Sequence, residues 1–308
     1  MAEVHARVDK HGNVHIAKKN KIRRFGVADF ILLTLLTILG LIILYPFYNA
    51  LLVSLVPNTV YLRYQGLMLW PPEVTWEAYS FTFQSSLIWY GFKNSILITV
   101  IGTIYNMVLT VFCAYALTKP IPGGKIIRFL IVFTMYFSGG LIPFYLLIRD
   151  LGLIDTLWSM ILPTGINIMY MLIISNYFKS LPPALEESAK IDGATDLRIL
   201  WSVILPLSLP LLATFTLYYA VERWNEWYNA MLFVKHVENW PLQNVLRTII
   251  NDVNMMATQN IPGQAKPDIQ GDAIKMSSII IGMAPIMCLY PFLQRYFLSG
   301  MTLGAVKE

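Results

Sequence analysis

Charge is what this chain has least of. Asp, Glu, Lys and Arg together make up 13% of its 308 residues, apolar residues make up 56%, and the mean hydropathy is +0.57. Soluble domains carry about 25% charged and about 45 to 50% apolar residues, so the composition excludes a soluble globule and makes lipid the expected solvent. Cysteine is nearly absent: Cys113 and Cys288 both lie in apolar stretches, which excludes a disulfide framework or a zinc site and leaves two small hydrophobes. The four histidines are equally uninformative, since His5, His11 and His15 sit in an arm without a scaffold to preset ligand geometry and His236 stands alone. No metal site is expected. The chain has no HExxH or GxSxG, and its one Gly-Lys pair, Gly124 and Lys125, lacks the upstream Gly and following Ser or Thr of a phosphate loop. It therefore offers no catalytic constellation and no ATP site of its own. The net charge of +5 is spread over short flanks of apolar runs rather than one face, which is not a nucleic-acid footprint.

What is present is a series of apolar runs long enough to cross about 30 Å of hydrocarbon as helices of roughly 20 residues. Clear spans run near Val27 to Leu55, Gly91 to Leu117, Ile126 to Ile148, Leu157 to Phe178 and Met276 to Phe297. A weaker one starts near Leu207, meets Glu222, Arg223, Asn225 and Glu226, and resumes at Ala230. Six crossings and an all-α polytopic class follow. The first run is too long for a cleaved signal and reads as a retained anchor. Arg7, Lys10, Lys18, Lys19, Lys21, Arg23 and Arg24 precede it, and Lys119, Lys125 and Arg128 follow the second span. The positive-inside asymmetry then places both termini, the turn at Lys119 to Arg128 and the stretch Lys179 to Pro206 in the cytoplasm. The division expected is a cytoplasmic arm over 1–26, a transmembrane domain over 27–298 and a cytoplasmic tail over 299–308. Two long connections, Val56 to Tyr90 and Phe233 to Lys275, fall outside, and loops of that length in a compact membrane protein receive or cover a partner more often than they merely connect.

The segment 181–206, with four further residues, reads LPPALEESAKIDGATDLRILWSVILPLSLP. Pro182 and Pro183 suit the first turn of a helix, Glu186 and Glu187 favour its positive end, and Gly193 supplies the backbone freedom that ends it. A second helix is expected from about Thr195 until Pro206 breaks the ladder. Small side chains at Ala184, Ser188 and Ala189 leave the first helix thin on one side. An amphipathic helix lying on the membrane is the competing reading, but it needs a large apolar face, which this segment lacks.

Here the chain resembles the cytoplasmic signature of binding-protein-dependent importers: Glu187, Ser188, Ala189, then Asp192, Gly193, Ala194, then Ile204, Leu205, Pro206, with Ser in place of the second small residue. The resemblance extends through Asn94 and Ser95, Ala114 to Leu117, Ser138 to Pro143, Trp224 to Trp227 and Gln294 to Gly300, and it is strongest to the smaller maltose-type permease, in the subgroup associated with complex oligosaccharides. It implies the type I ABC importer permease fold and a coupling helix that seats in a separate nucleotide-binding ATPase. It also implies a second homologous permease subunit, a dimer of that ATPase carrying ATP and Mg, and an extracytoplasmic solute-binding protein. The transported solute would be a sugar or oligosaccharide, translocated by alternating access across a bacterial cell membrane.

Polar groups at membrane depth are functional candidates. Glu222, Arg223, Trp224, Asn225, Glu226 and Trp227 combine carboxylate, guanidinium, amide and aromatic platforms, the chemistry a sugar pathway needs. An interfacial aromatic belt accounts for the same run. Gly139, Gly140 and Pro143 mark a break in the third span and a candidate gate, since irregular backbone in a membrane must line a cavity or be buried in protein. Alternatives are a non-sugar solute for the same importer, or an ion-coupled carrier; the latter needs intramembrane ionisable groups, which the central turns of the other spans barely offer.

Overall fold

The computed structural model describes residues 5–8, 14–17, 26–61, 68–258 and 271–305. The chain forms two compact units, Met1–Asn49 and Ala50–Glu308. In the first, strands β1 (His5–Val8) and β2 (Val14–Ala17) pair antiparallel, His5 opposite Ala17 and Val8 opposite Val14. The N-terminal arm thus contains a short hairpin. Helix α1 (Val27–Ser54) opens with the backbone N–H of Gly26 donating to Asp29 Oδ2 at 3.1 Å. Within it the Thr34 and Thr37 hydroxyls donate to the carbonyls of Phe30 and Leu33 at 2.9 and 2.8 Å, so these two polar groups are satisfied inside the apolar run.

The second unit is organised around α3 (Ser86–Ala116), which follows α2 (Glu77–Gln84) and packs against several of the later helices. Its buried face is built from small and polar residues, among them Gly91, Asn94, Ser95, Gly102, Thr103, Asn106, Thr110 and Ala114. Helices in lipid gain nothing by burying leucine against leucine, so close approach and polar contacts hold them together. A Cβ on Gly91 would lie 3.0 Å from the Leu242 backbone, and one on Gly102 would lie 3.0 Å from the Arg223 side chain.

The third span is broken. Helices α4 (Gly124–Tyr136) and α5 (Leu141–Asp150) meet at 111° across residues 137–140, where Gly140 has a φ of +87°. The expected fourth span, Leu157 to Phe178, is not one helix either. A single turn, Trp158–Ile161, gives way to irregular backbone containing Pro163 and Gly165 before α6 (Ile168–Ser180). Next come α7 (Pro183–Ile191) and a segment Asp196–Leu207 joined at 87° to α8 (Leu209–Trp224). The break expected at Pro206 falls at Ser208 instead. A π-helical turn, Leu200–Ile204, widens the ladder just before the proline, so the ring fits without ending the helix. Helices α9 (Tyr228–Phe233), α10 (Leu242–Thr258) and α11 (Gly271–Ala305) complete the unit.

Apart from the hairpin, every regular element among the described residues is helical. Three helical segments, Val27–Ser54, Ser86–Ala116 and Gly271–Pro291, are long and apolar enough to cross a membrane, and up to five crossings result if each bent pair counts as one. Helix α6, at 13 residues, is too short alone.

Candidate functional site

The segment 181–206 is held at both ends. Pro182 precedes α7 as its N-cap and Pro183 opens it, where a missing N–H costs nothing. At the other end Gly193, at φ +76°, donates to the Lys190 carbonyl at 3.0 Å, and Ala194 donates to the Ala189 carbonyl at 3.0 Å. Those bonds, three and five residues back respectively, form the paired closure that uses a left-handed residue to satisfy the last carbonyls of a helix. Thr195 then caps the following helix, its Oγ1 accepting from the Arg198 N–H at 3.4 Å.

Side chains fix the segment to the helix ends around it. Lys119, just past α3, pairs with Glu186, lies 3.0 Å from Asp196 Oδ1, and sits over the Tyr115 ring at 4.4 Å. Lys190 reaches Glu186 Oε1 at 3.1 Å, one turn along α7. Burial alone would lower the Lys119 pKa, yet hydrogen bonds with Glu186, Tyr115 and Asp196 push it above its ordinary value. Glu186 is the mirror case: burial would raise it, and bonds from Lys119 and Lys190 hold it below its ordinary value. Behind this cluster, Ile199, Leu200 and Ile204 join Ala114, Tyr115, Met171, Ile174, Phe178, Leu212 and Phe215 in the largest apolar core, against which Leu181, Ala189 and Ala194 also pack. Through Ala189, α7 therefore packs against the same core as the ends of α3, α6 and α8. Glu187, Ser188 and Asp192 stay exposed, and Glu187 has no partner among the described residues.

A second constellation lies where α8 ends. Arg223 is 4% exposed. Its guanidinium donates to Asn106 Oδ1 on α3 at 3.1 and 2.7 Å, to the carbonyls of Ile161 and Thr164 at 3.2 and 2.9 Å, and to that of Met160. The Asn106 amide donates to the Thr164 carbonyl at 2.7 Å. One side chain thus supplies donors for the carbonyls that the broken fourth span leaves free. The far side of the break is tied by Tyr219, whose hydroxyl accepts from the Asn167 N–H at 3.0 Å and contacts Thr110 Oγ1 at 2.7 Å. Asn167 itself caps α6, accepting from the N–H groups of Met169 and Tyr170 at 3.1 and 3.4 Å. Trp224 is also buried, its indole N–H donating to the Gly282 carbonyl at 2.9 Å.

The rest of the polar run is exposed or half-buried. Glu222 is exposed and accepts from the Tyr170 hydroxyl at 2.6 Å, within a cluster of Tyr170, Phe215, Tyr218 and Tyr219. Glu226 accepts at both oxygens from Asn229, each at 3.1 Å. Asn225, Trp227 and Tyr228 are exposed. Beyond α9 the chain is pinned by Asp155, at φ +63°, which accepts from the backbone N–H groups of Lys235 and His236 at 2.9 and 3.0 Å and pairs with the His236 ring. Among the described residues, no group of three or more His, Cys, Asp or Glu is placed to hold a metal ion.

These features match a known family. Residues 88–303 match the model of the binding-protein-dependent transport system inner membrane component. The chain belongs to that family. Among relatives of this inner membrane component, Protein LplC of Bacillus subtilis is 41% identical over 80% of this chain and 83% of its own length. The polygalacturonan/rhamnogalacturonan transport system permease protein YtcP of Bacillus subtilis is 38% identical over 91% of this chain and 98% of its own. A chain in the crystal structure of a bacterial ABC transporter involved in the import of the acidic polysaccharide alginate superposes with a TM-score of 0.79 at 32% identity, covering 89% of this chain and 98% of that one. The family match spans the polar run and the whole 181–206 segment.

The sequence brought Glu187, Ser188, Ala189, Asp192, Gly193 and Ala194 together on one projecting helix and its turn, and the structure places them there. Pro206 lies within the helix rather than at its end. Gly139 and Gly140 lie in the break of the third span and Pro143 in the first turn of α5. The candidate pathway run divides, with Arg223 and Trp224 buried in the protein, Glu226 half-buried, and Glu222, Asn225 and Trp227 exposed. Sequence reasoning used Lys119 only as a charge flanking a span and passed over Asn106 and Asp155. Asn106, an amide in the middle of an apolar helix, was the visible signal, because such a group demands a partner.

Proposed function

We propose that this chain is one of two homologous permease subunits of an ATP-binding-cassette importer for a sugar or oligosaccharide, coupled through α7 to a separate ATPase. The observation that carries the coupling is the exposed, unpartnered Glu187 on a helix whose base is clamped by Lys119, Glu186 and Asp196 and backed by the main apolar core. A partner docked on α7 thereby moves three membrane helices at once. Carbohydrate as the solute is supported by the relative named for polygalacturonan and rhamnogalacturonan and by the alginate importer. ATP and Mg would bind on a nucleotide-binding dimer, and this chain would carry no cofactor and no catalytic residue. An extracytoplasmic binding protein would deliver the solute, with both termini and segment 181–206 in the cytoplasm and six crossings in all, the fourth comprising the broken stretch and α6.

Within that scheme Glu222, Asn225, Glu226 and Trp227 line the solute pathway, Arg223 and Trp224 hold its frame, and the break at Gly139, Gly140 and Pro143 is a gate element that tilts during alternating access. The test is isolation of the chain from its native membrane followed by uptake in reconstituted vesicles. The expected companions are a second permease, an ATPase and a solute-binding protein that a glycan stabilises against heat. Recovery of the chain without an ATPase, with transport driven instead by an ion gradient, overturns the proposal.

A further inference from the structure

Helix α10 has two unlike faces. Leu242, Val245, Leu246, Ile249 and Val253 pack into the protein against α2, α3 and α11. The opposite face carries Gln243, Arg247 and Asn251, one turn apart each, with Arg247 and Asn251 exposed. The Arg247 guanidinium lies over the Trp227 ring, 4.0 Å from its centroid, and Gln243 Nε2 donates to Asn225 Oδ1 at 3.4 Å. Among the described residues Arg247 makes no hydrogen bond or ion pair. The carboxylate nearest in sequence to Trp227, that of Glu226, has both oxygens engaged by Asn229. Arg223, another cation of this region, is buried, with its guanidinium bonded to Asn106 and to backbone carbonyls.

We propose that Asn225, Trp227, Gln243, Arg247 and Asn251 form a glycan subsite that takes an acidic sugar residue, with the sugar carboxylate on Arg247. This rests on the reading of the chain as a glycan importer. Stacking on an aromatic ring uses the flat face of a guanidinium and leaves its N–H edge free, and that edge matches a carboxylate in a two-pronged geometry. The stacked group is already ordered, so less entropy is lost when a ligand binds it. The amides beside it each offer both donor and acceptor, which suits the hydroxyls of a sugar ring. An acidic side chain on a docked protein would satisfy Arg247 alone and leave the three amides without their match.

The test uses the complete importer, reconstituted with its ATPase and binding protein, with tetragalacturonate and its neutral methyl ester as paired probes. Assembly is checked for every variant by recovery of the complex. Arg247→Gln is expected to raise the half-saturating concentration of tetragalacturonate about tenfold or more, the loss of one charge-assisted contact. The methyl ester should change by less than about twofold, and Arg247→Lys should fall between. An equal effect on both probes overturns the subsite and makes Arg247 a contact for the binding protein or for the fold. No effect on either probe, or a wild type that carries the ester as well as the acid, also overturns it and leaves glycan import standing. A wild type that carries no glycan at all overturns the proposed function and the subsite together.

Discussion

Arg223 sets a full positive charge inside the protein with carbonyls and an amide, rather than a carboxylate, as its partners. A planar fork of donors is what the site requires, since its four acceptors, the carbonyls of Met160, Ile161 and Thr164 and the Asn106 oxygen, belong to different elements. Lysine offers a point charge on a flexible stem and serves fewer of them. Arg223→Met leaves several buried acceptors unpaired at about 1 to 3 kcal/mol each, so a fall in stability of at least about 3 kcal/mol is expected, read as the loss of heat resistance of the purified protein. Arg223→Lys should recover part of it. Equal stability of wild type and Arg223→Met would remove the arginine from its structural role. Glu187 is the opposite kind of residue, exposed and unpartnered here. Truncating one member of a charge pair that becomes desolvated on docking costs about 2 to 5 kcal/mol. Glu187→Ala is therefore expected to weaken ATPase retention and uptake while leaving the heat resistance of the isolated chain unchanged, and retention at the wild-type level would detach α7 from coupling.

Elements show which parts of this molecule are local in origin. Helix α7 and its turn were legible because every signal lies within a dozen residues: prolines at the start, acids in the first turn, and a glycine where a left-handed residue closes the helix. Among the described residues nothing lies within 4 Å of where a Cβ on Gly193 would stand. A substitution there pays for backbone strain alone, about 1 kcal/mol or more for valine and less for asparagine, which tolerates that region. Gly193→Val should thus impair coupled uptake, Gly193→Asn should largely preserve it, and equal defects would point to steric exclusion by a partner instead. The fourth span was not legible, because its break is stabilised by Arg223 and Asn106, some 60 residues away in either direction and silent in a window of apolar residues. Pro163 and Gly165 were the only local signs, and a Cβ on Gly165 would fall 2.9 Å from Leu109. The cluster at Lys119 was hidden for the same reason. Because the folded pKa of Glu186 is depressed below its ordinary 4.5, its stabilisation is complete above that value and is lost as pH falls through the lower folded one. Proteolytic cleavage of the 181–206 segment should accelerate only on acidification below about 4.5, and Glu186→Gln should abolish that pH dependence.

For the whole molecule the question is which side each end faces, and here charge and helix geometry have to agree. Arg23, Arg24, Lys119, Lys125 and Arg128 flank apolar runs on what the positive-inside rule makes the cytoplasmic side. Segment 181–206 lies at the same end of the bundle as Lys119, since the two are joined by ion pairs and a common apolar core. Asp155 and the Lys235 to His236 backbone are bonded to each other, and α3, running from Ser86 to Ala116, separates the two clusters: Asn94 donates to the Glu238 and Trp240 carbonyls near its start at 2.7 and 3.0 Å, whereas Lys119 follows its end. At about 1.5 Å per residue, the 25 positions from Asn94 to Lys119 cover most of a bilayer. The two clusters are therefore expected on opposite sides, whatever the number of crossings between them. This is tested by labelling single cysteines in intact cells, with Cys113 and Cys288 both replaced by alanine. A cysteine at Asp192 should react only with reagents that enter the cytoplasm, one at Glu238 should react with impermeant reagents added outside, and one at Gly263, which lies outside the described residues, should follow Glu238. Labelling of Asp192 and Glu238 from the same side would break the assignment of α3 as a full crossing and, with it, the path by which a push on α7 reaches the polar run at the end of α8.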